Sequence, residues 1–406
     1  MSDTMTFAEA VRKVGIPDPD RLKPGTWDAH QADYPSGGPE FLKDVYLTEA
    51  FDYARVPADI RPPFFAAAAA IRANEAWSRL AWHCRHLLFG LGVDKDWWGH
   101  NLVVPGVGET GTMFPAIVLL AGLPGMREFH RRRGIPEEIT LKTLSDIEIW
   151  VRHHKERFGS WGFNEIGWLM HHFTGQLYRL GRLQFMHKKY DGNVLLYRKT
   201  ATGEVALLSL PGIAYRADGQ VDGNNGREDP VGKWTSVFEA TTAAVRGNPV
   251  SEKGEARKEP VTLSLAEWTS ILATGDGVLD IHIAAGEPMA LEPCRESAKQ
   301  ATEFFPKYFP EAKFKGFMCS SWLLDPMYLE ILPPESNIVK FIQWFHIYPI
   351  HSDDHEAFKR VFGGRPADLM KAPRDSGLRR AILDLYTQGG SLYGAAGGVV
   401  REFLGG

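Results

Sequence analysis

The sequence predicts an α+β protein, an all-helical first half followed by a mixed α/β sheet in the second. Three observations carry this. From Pro39 to Phe158 apolar residues recur at intervals of three and four. From Leu177 onward they alternate instead, and between Val278 and Phe362 short alternating runs take turns with helical ones. At 406 residues the chain exceeds one ordinary core. We divide it into an extended N-terminal segment (1–38), a helical domain (39–160), a sheet domain (161–365), and a C-terminal helix with a Gly-rich tail (366–406).

The elements follow in order. A short helix is expected over Phe7–Val14, with the rest of the Pro-, Gly- and Asp-rich opening draped over the surface. Phe64–Leu91 is Ala-rich with helical spacing. Pro136–His153 starts with two acidic residues suited to the positive end of a helix. Asn164–Thr174 reads as a last helix, and Leu177–Lys188 alternates. Val194–Tyr197 and Val205–Leu208 read as strands. Asp218–Lys258 is a Gly- and Asn-rich excursion with one possible helix at Thr235–Val245. Val278–Ile283 is a strand, followed by a loop of small residues (Ala284–Ala290) and a helix opening at Glu292-Pro293. Phe314–Trp322 is a strand, Pro326–Leu332 a short helix, and Ile338–Tyr348 an aromatic-rich strand. Asp353–Phe362 is a helix with an Asp-x-x-Glu start and Gly363 after its end.

Composition narrows the function. Hydrophobic residues make up 44% and charged residues 24%, the globular norm, and the net charge is −4, which draws the chain neither to nucleic acid nor to anionic lipid. Three widely spaced cysteines (Cys84, Cys294, Cys319) fit neither a disulfide scaffold nor a Cys-rich zinc site, so a reducing, cytoplasmic location is expected. The first 30 residues hold no unbroken apolar stretch of a secretory leader. The longest apolar runs, Pro63–Ile71 and Pro115–Gly122, fall short of a bilayer span, so no membrane is expected.

Several side chains are placed for chemistry. Asp280 and His282 stand two apart on a strand and face the same side, about 7 Å apart along it. They are either a satisfied polar pair on a sheet face or an acid–base pair, with Asp orienting the imidazole. Arg182 and Gln184 share a face of the Leu177–Lys188 run, as substrate contacts or as members of a buried hydrogen-bond network. Gly106–Gly111 matches GxGxxG, but in helical surroundings a turn explains it better. His351-x-x-x-His355 has helical metal spacing, yet the acidic pair between them reads as a helix start, and no metal is expected. Cys294 and Cys319 read as small buried residues, with a Cys–His hydrolase as a remote alternative.

Four stretches carry a family resemblance. They are Tyr178-Arg179-Leu180-Gly181-Arg182-Leu183-Gln184-Phe185, His282-Ile283-Ala284-Ala285-Gly286-Glu287-Pro288-Met289 with Cys294 beyond it, Cys319-Ser320-Ser321-Trp322-Leu323-Leu324-Asp325-Pro326, and Ser336-Asn337-Ile338. With the ending Leu378-Arg379-Arg380-Ala381-Ile382 and Gly389-Gly390, they resemble bacterial proteins classed as acyltransferases. Those pair a helical N-acyltransferase-type domain with a GNAT-like domain. The resemblance implies an acyl group moved from acyl-CoA or acetyl-CoA, as co-substrate, to an amine of a small molecule or peptide. It also implies a base at His282 with Asp280, thiolate protonation by Tyr328, cofactor contacts at Ala285, Gly286, Ser320 and Ser321, and substrate contacts at Arg182 and Gln184. The alternative is a non-catalytic acyl-CoA or small-molecule binding protein of the same fold.

Overall fold

The computed structural model describes residues 5–90 and 102–404. The chain divides into two compact units, Met1–Arg179 with Ala284–Gly286, and Leu180–Ile283 with Glu287–Gly406. The division thus falls later than the expected one at 160.

The first unit is helical: α1 (Phe7–Val14), α2 (Trp27–Gln31), α3 (Asp44–Ala54), α4 (Arg61–Ala73), α5 (Glu75–Phe89), α6 (Gly108–Leu120), α7 (Leu123–Arg133), α8 (Glu137–Leu144), α9 (Asp146–Phe158) and α10 (Ile166–Phe173). α1 is set by a capping box, in which Thr6 Oγ1 accepts from Glu9 N–H and Glu9 Oε2 accepts from Thr6 N–H. The opening is not draped over the surface. Ala10, Leu22 and Trp27 enter the same core as Ala67, Ile71, Leu80, Cys84 and Ile117. Two expected helices are each a pair. Asn74, whose side chain caps α5, divides α4 from α5, and Leu91, the expected end, lies outside the described residues. Ser145 divides α8 from α9.

The sheet half runs β1 (Leu177–Leu180), β2 (Leu183–Lys189), β3 (Val194–Lys199), β4 (Val205–Ser209), β5 (Ala214–Tyr215), β6 (Trp234–Thr235), β7 (Phe238–Ala240), β8 (Ala244–Gly247), β9 (Pro249–Val250), β10 (Val261–Ser264), β11 (Trp268–Leu272) and β12 (Gly277–His282). α11 (Leu291–Tyr308), β13 (Phe317–Ser321), α12 (Tyr328–Ile331), α13 (Asn337–Gln343), β14 (Phe345–Pro349), α14 (His355–Phe362), α15 (Gly377–Thr387) and β15 (Ala396–Val400) follow. The main sheet has the order β1-β2-β12-β13-β15-β14. One of its faces contributes Val278, Met318, Tyr348 and Val399 to a core shared with Val194, Leu196 and Leu207 of a second sheet, β11-β3-β4-β9.

Three expectations are corrected. Thr235–Val245 is not a helix: β7 and β8 form a hairpin whose turn is closed by Thr241, which accepts from Ala243 and Ala244 N–H and donates to Ala244 O. Ile338–Gln343 is helix rather than strand, because Ser336 Oγ caps Val339 N–H at 3.2 Å, and the strand begins only at Phe345. The Gly-rich tail contains β15, an interior strand between β13 and β14.

Candidate functional site

β12 and β13 run parallel but pair only at Leu279–Phe317 and Asp280–Met318. Beyond that point Ile281 and His282 stay on β2, while Cys319, Ser320 and Ser321 stay on β15. Each strand therefore keeps a ladder on its outer side and loses the inner one, which opens a gap at their C-terminal ends. Alternation sorts the side chains at this gap. Asp280, His282, Met318 and Ser320 lie on the face of the second sheet, and Leu279, Ile281, Phe317 and Cys319 on the other.

His282 Nε2 stands 3.4 Å from Asp280 Oδ2, with Asp280 nearly buried and His282 partly open. Across β2, Gln184 is the direct partner of His282 and is buried. Ser320 is exposed on the other arm of the gap. Ser321 Oγ accepts from Leu323 N–H at 3.1 Å and caps the turn that follows β13. Ala285 and Gly286 are exposed. Gly286 has φ +102, with open space where a Cβ would stand. α11 starts after Ala290 without a side-chain cap, leaving its first-turn N–H groups uncapped, with Glu292 beside them and Pro293 contributing no donor.

Arg182 is not on a strand face. Gly181, at φ +67, turns the chain between β1 and β2 and puts Arg182 in the turn. Its guanidinium donates to Pro288 O at 3.1 Å and to Glu287 O at 2.7 Å, so it holds the loop before α11. Ser297 anchors the same turn: its Oγ accepts from Arg182 and Leu183 N–H and donates to Pro293 O. Tyr328 stands at the start of α12. It is fully buried, its ring edge-on to Trp322, and its hydroxyl has no hydrogen-bond partner among the described residues. Burial, with the charges of Asp325 and Asp354 and with Tyr386 nearby, pushes its pKa well above the usual tyrosine value.

The remaining motifs resolve plainly. Cys319 faces away from His282, and burial pushes its thiol far up; burial pushes Cys294 up to about 11 against the pull of Arg182. Neither is an activated nucleophile. Gly106 and Gly108 form a left-handed turn into α6, and a Cβ at Gly111 would stand 2.0 Å from Val104 O, so this glycine serves close packing rather than a phosphate. Among the described residues no group of three or more His, Cys, Asp or Glu side chains is placed to hold a metal ion, and no helix is long and apolar enough to cross a membrane. The cavities along α11, of about 420 Å³ beside Phe314 and Phe403 and about 540 Å³ beside Arg295 and Lys299, do not include the gap residues. Sequence reading missed Lys188 and Ser297. The antiparallel pairing of β2 with β12, which joins residues far apart in the chain, is what gives Lys188 its neighbours.

A model of the GNAT-like C-terminal domain matches residues 177–399, and one of the N-acyltransferase N-terminal domain matches residues 46–175. No curated protein sequence matches. Among solved structures, an acyltransferase in complex with decanoyl-CoA and teicoplanin is similar, with a TM-score of 0.66 at 20% identity over 98% of this chain and 99% of that one. An acyltransferase in complex with CoA and 10C-teicoplanin gives 0.66 at 21%, and an acyltransferase mutant in complex with octanoyl-CoA gives 0.66 at 20%, over the same shares. At this identity the likeness is one of fold. The parting of two parallel strands is thus set in a domain that the family model matches over more than half of the sequence, and the chain belongs to the family that joins an N-acyltransferase N-terminal domain to a GNAT-like C-terminal domain.

Proposed function

We propose that this protein transfers an acyl group from an acyl-CoA thioester to an amine of a small molecule or peptide, at the gap between β12 and β13. The observation that carries the proposal is that gap itself. Two parallel strands part directly after Asp280, leaving His282 on one arm and Ser320 on the other, on one face. The neighbours' complexes with decanoyl-CoA, octanoyl-CoA and CoA support the donor, and the complexes with teicoplanin support a small-molecule acceptor. The pantetheine arm would enter the gap and the pyrophosphate would lie near the uncapped end of α11.

The chemistry asks little of the protein. Asp280, beside Nε2, would orient the imidazole, and the neutral ring would serve as the base. The imidazole takes the proton from the amine as the amine nitrogen bonds to the acyl carbon. The C–S bond then breaks and CoA leaves as the thiolate. Ser320 and Gln184 would contact the reacting groups. His282→Gln should lower amine-dependent CoA release roughly 10²- to 10⁴-fold, with acyl-CoA affinity and melting temperature little changed. A variant that melts with its activity would instead make Asp280–His282 a structural pair.

One observation favours the second reading, an acyl-CoA binding protein without turnover. Two acidic residues, Glu287 and Glu292, flank the helix start proposed for the anionic phosphate. Tight binding of acyl-CoA with no release of CoA over a panel of amines would decide for it.

A further inference from the structure

The Asp280–His282 pair has a third member. Lys188 sits on β2 opposite Val278, on the sheet face that carries Gln184, Asp280 and His282. Its Nζ is 3.5 Å from Asp280 Oδ2 and 3.1 Å from Asp191 Oδ1. The oxygen it approaches is the same Oδ2 that meets His282 Nε2 at 3.4 Å. One carboxylate oxygen therefore has an ammonium on one side and an imidazole on the other.

We propose that Lys188 is a positioning residue of the acyl-transfer site: it anchors Asp280 and shares its charge, so that the carboxylate orients His282 without holding it as the imidazolium. The inference rests on the reading of His282 as the base. A carboxylate alone against an imidazole favours the charged ring, which cannot accept a proton; a cation on the far side of the carboxylate opposes that. Lys188 is suited to the task because it stays charged. Burial by itself would favour the neutral amine, but Asp280 and Asp191 outweigh it and raise its pKa. Of the two acids, Asp191 has a largely exposed side chain and Asp280 only 11% exposed, so the pair with Asp280 is the less screened.

From β2 the face presents Gln184, from β13 Met318 and Ser320, and from β14 Tyr348, with Tyr190 near Tyr348. Burial raises both tyrosines, and Cys319, the thiol nearest Asp280, lies on the other face and is also raised. Among the described residues, Asp191, Lys188 and Asp280 form the chain of charged side chains that leads to the imidazole.

The test uses the full chain with Lys188→Met and Lys188→Arg. The His282 ring is followed by NMR, assigned by its loss in His282→Gln, and the pH profile of kcat/KM is measured beside it. Lys188→Met should move the ring's titration to higher pH. The rising limb of the rate profile should move with it, the rate lost near pH 7 returning at higher pH, and Lys188→Arg should restore both. A ring that titrates as in the unaltered protein, in a Lys188→Met variant with an unchanged melting temperature, overturns the proposal. A ring that moves while the rate profile stays put overturns it differently. Lys188 would then act on His282, but His282 would not be the base.

Discussion

Tyr328 and Ser297 show how a single atom's partners decide what a residue can do. The Tyr328 hydroxyl is buried among described residues that give it no hydrogen bond, a desolvated group without compensation. Tyr328→Phe should therefore leave acyl transfer within a few-fold and leave stability unchanged or higher, by about 1 kcal/mol. A large loss of rate in that variant would return Tyr328 to the chemistry. Ser297 is the opposite case. One oxygen accepts two buried N–H groups, from Arg182 and Leu183. Ser297→Ala strands both, and denaturant unfolding should show a loss of about 1–3 kcal/mol. A neutral result would mean that the turn relaxes onto other acceptors.

At the scale of elements, what the sequence made legible follows from periodicity. β12, α11 and α10 were readable because each repeats at its own period over several residues between Gly- or Pro-marked ends. The Asp280–His282 register came with β12, since a period of two fixes which side chains share a face. Arg182 does not share the face of Gln184, because Gly181 interrupts the alternation with a left-handed turn, and that glycine is the signal in the sequence. β15 was missed for a different reason. Gly397 and Gly398 are poor strand residues by propensity, yet here no other residue fits. A Cβ at Gly397 would stand 2.3 Å from the Tyr348 ring, and one at Gly398 would stand 2.9 Å from the Phe345 ring. Large rings on β14 require bare backbone on β15, a fact of pairing between strands that no single stretch of sequence displays. Gly397→Ala should cost about 1–3 kcal/mol by overpacking, read as a lower unfolding midpoint. An unchanged midpoint would show that the Tyr348 ring can move aside.

At the scale of the whole molecule, buried histidines set the response to acid. Burial lowers His83, His130 and His346 from 6.5 to about 4. Between those values the unfolded chain binds the protons that the folded one refuses, so stability is full above pH 6.5 and is lost as pH falls toward 4. The ceiling is about 3 kcal/mol for each histidine. Asp325 works the other way. Burial raises it to about 6, so protonation below that pH relieves the folded state, by a similar amount. Three against one, the midpoint of urea unfolding should fall between pH 6.5 and 4. A flat profile over that window would contradict the buried, neutral histidines.

The central claim is chemical, and one measurement reaches it most directly. The pure protein is given a panel of acyl-CoA thioesters with and without amines, and free CoA is followed by its thiol, for the unaltered chain and for His282→Gln. The account predicts CoA release that requires both thioester and amine and falls at least about 100-fold in the variant. Release that ignores the amine, or equal rates in the two proteins, would contradict the account.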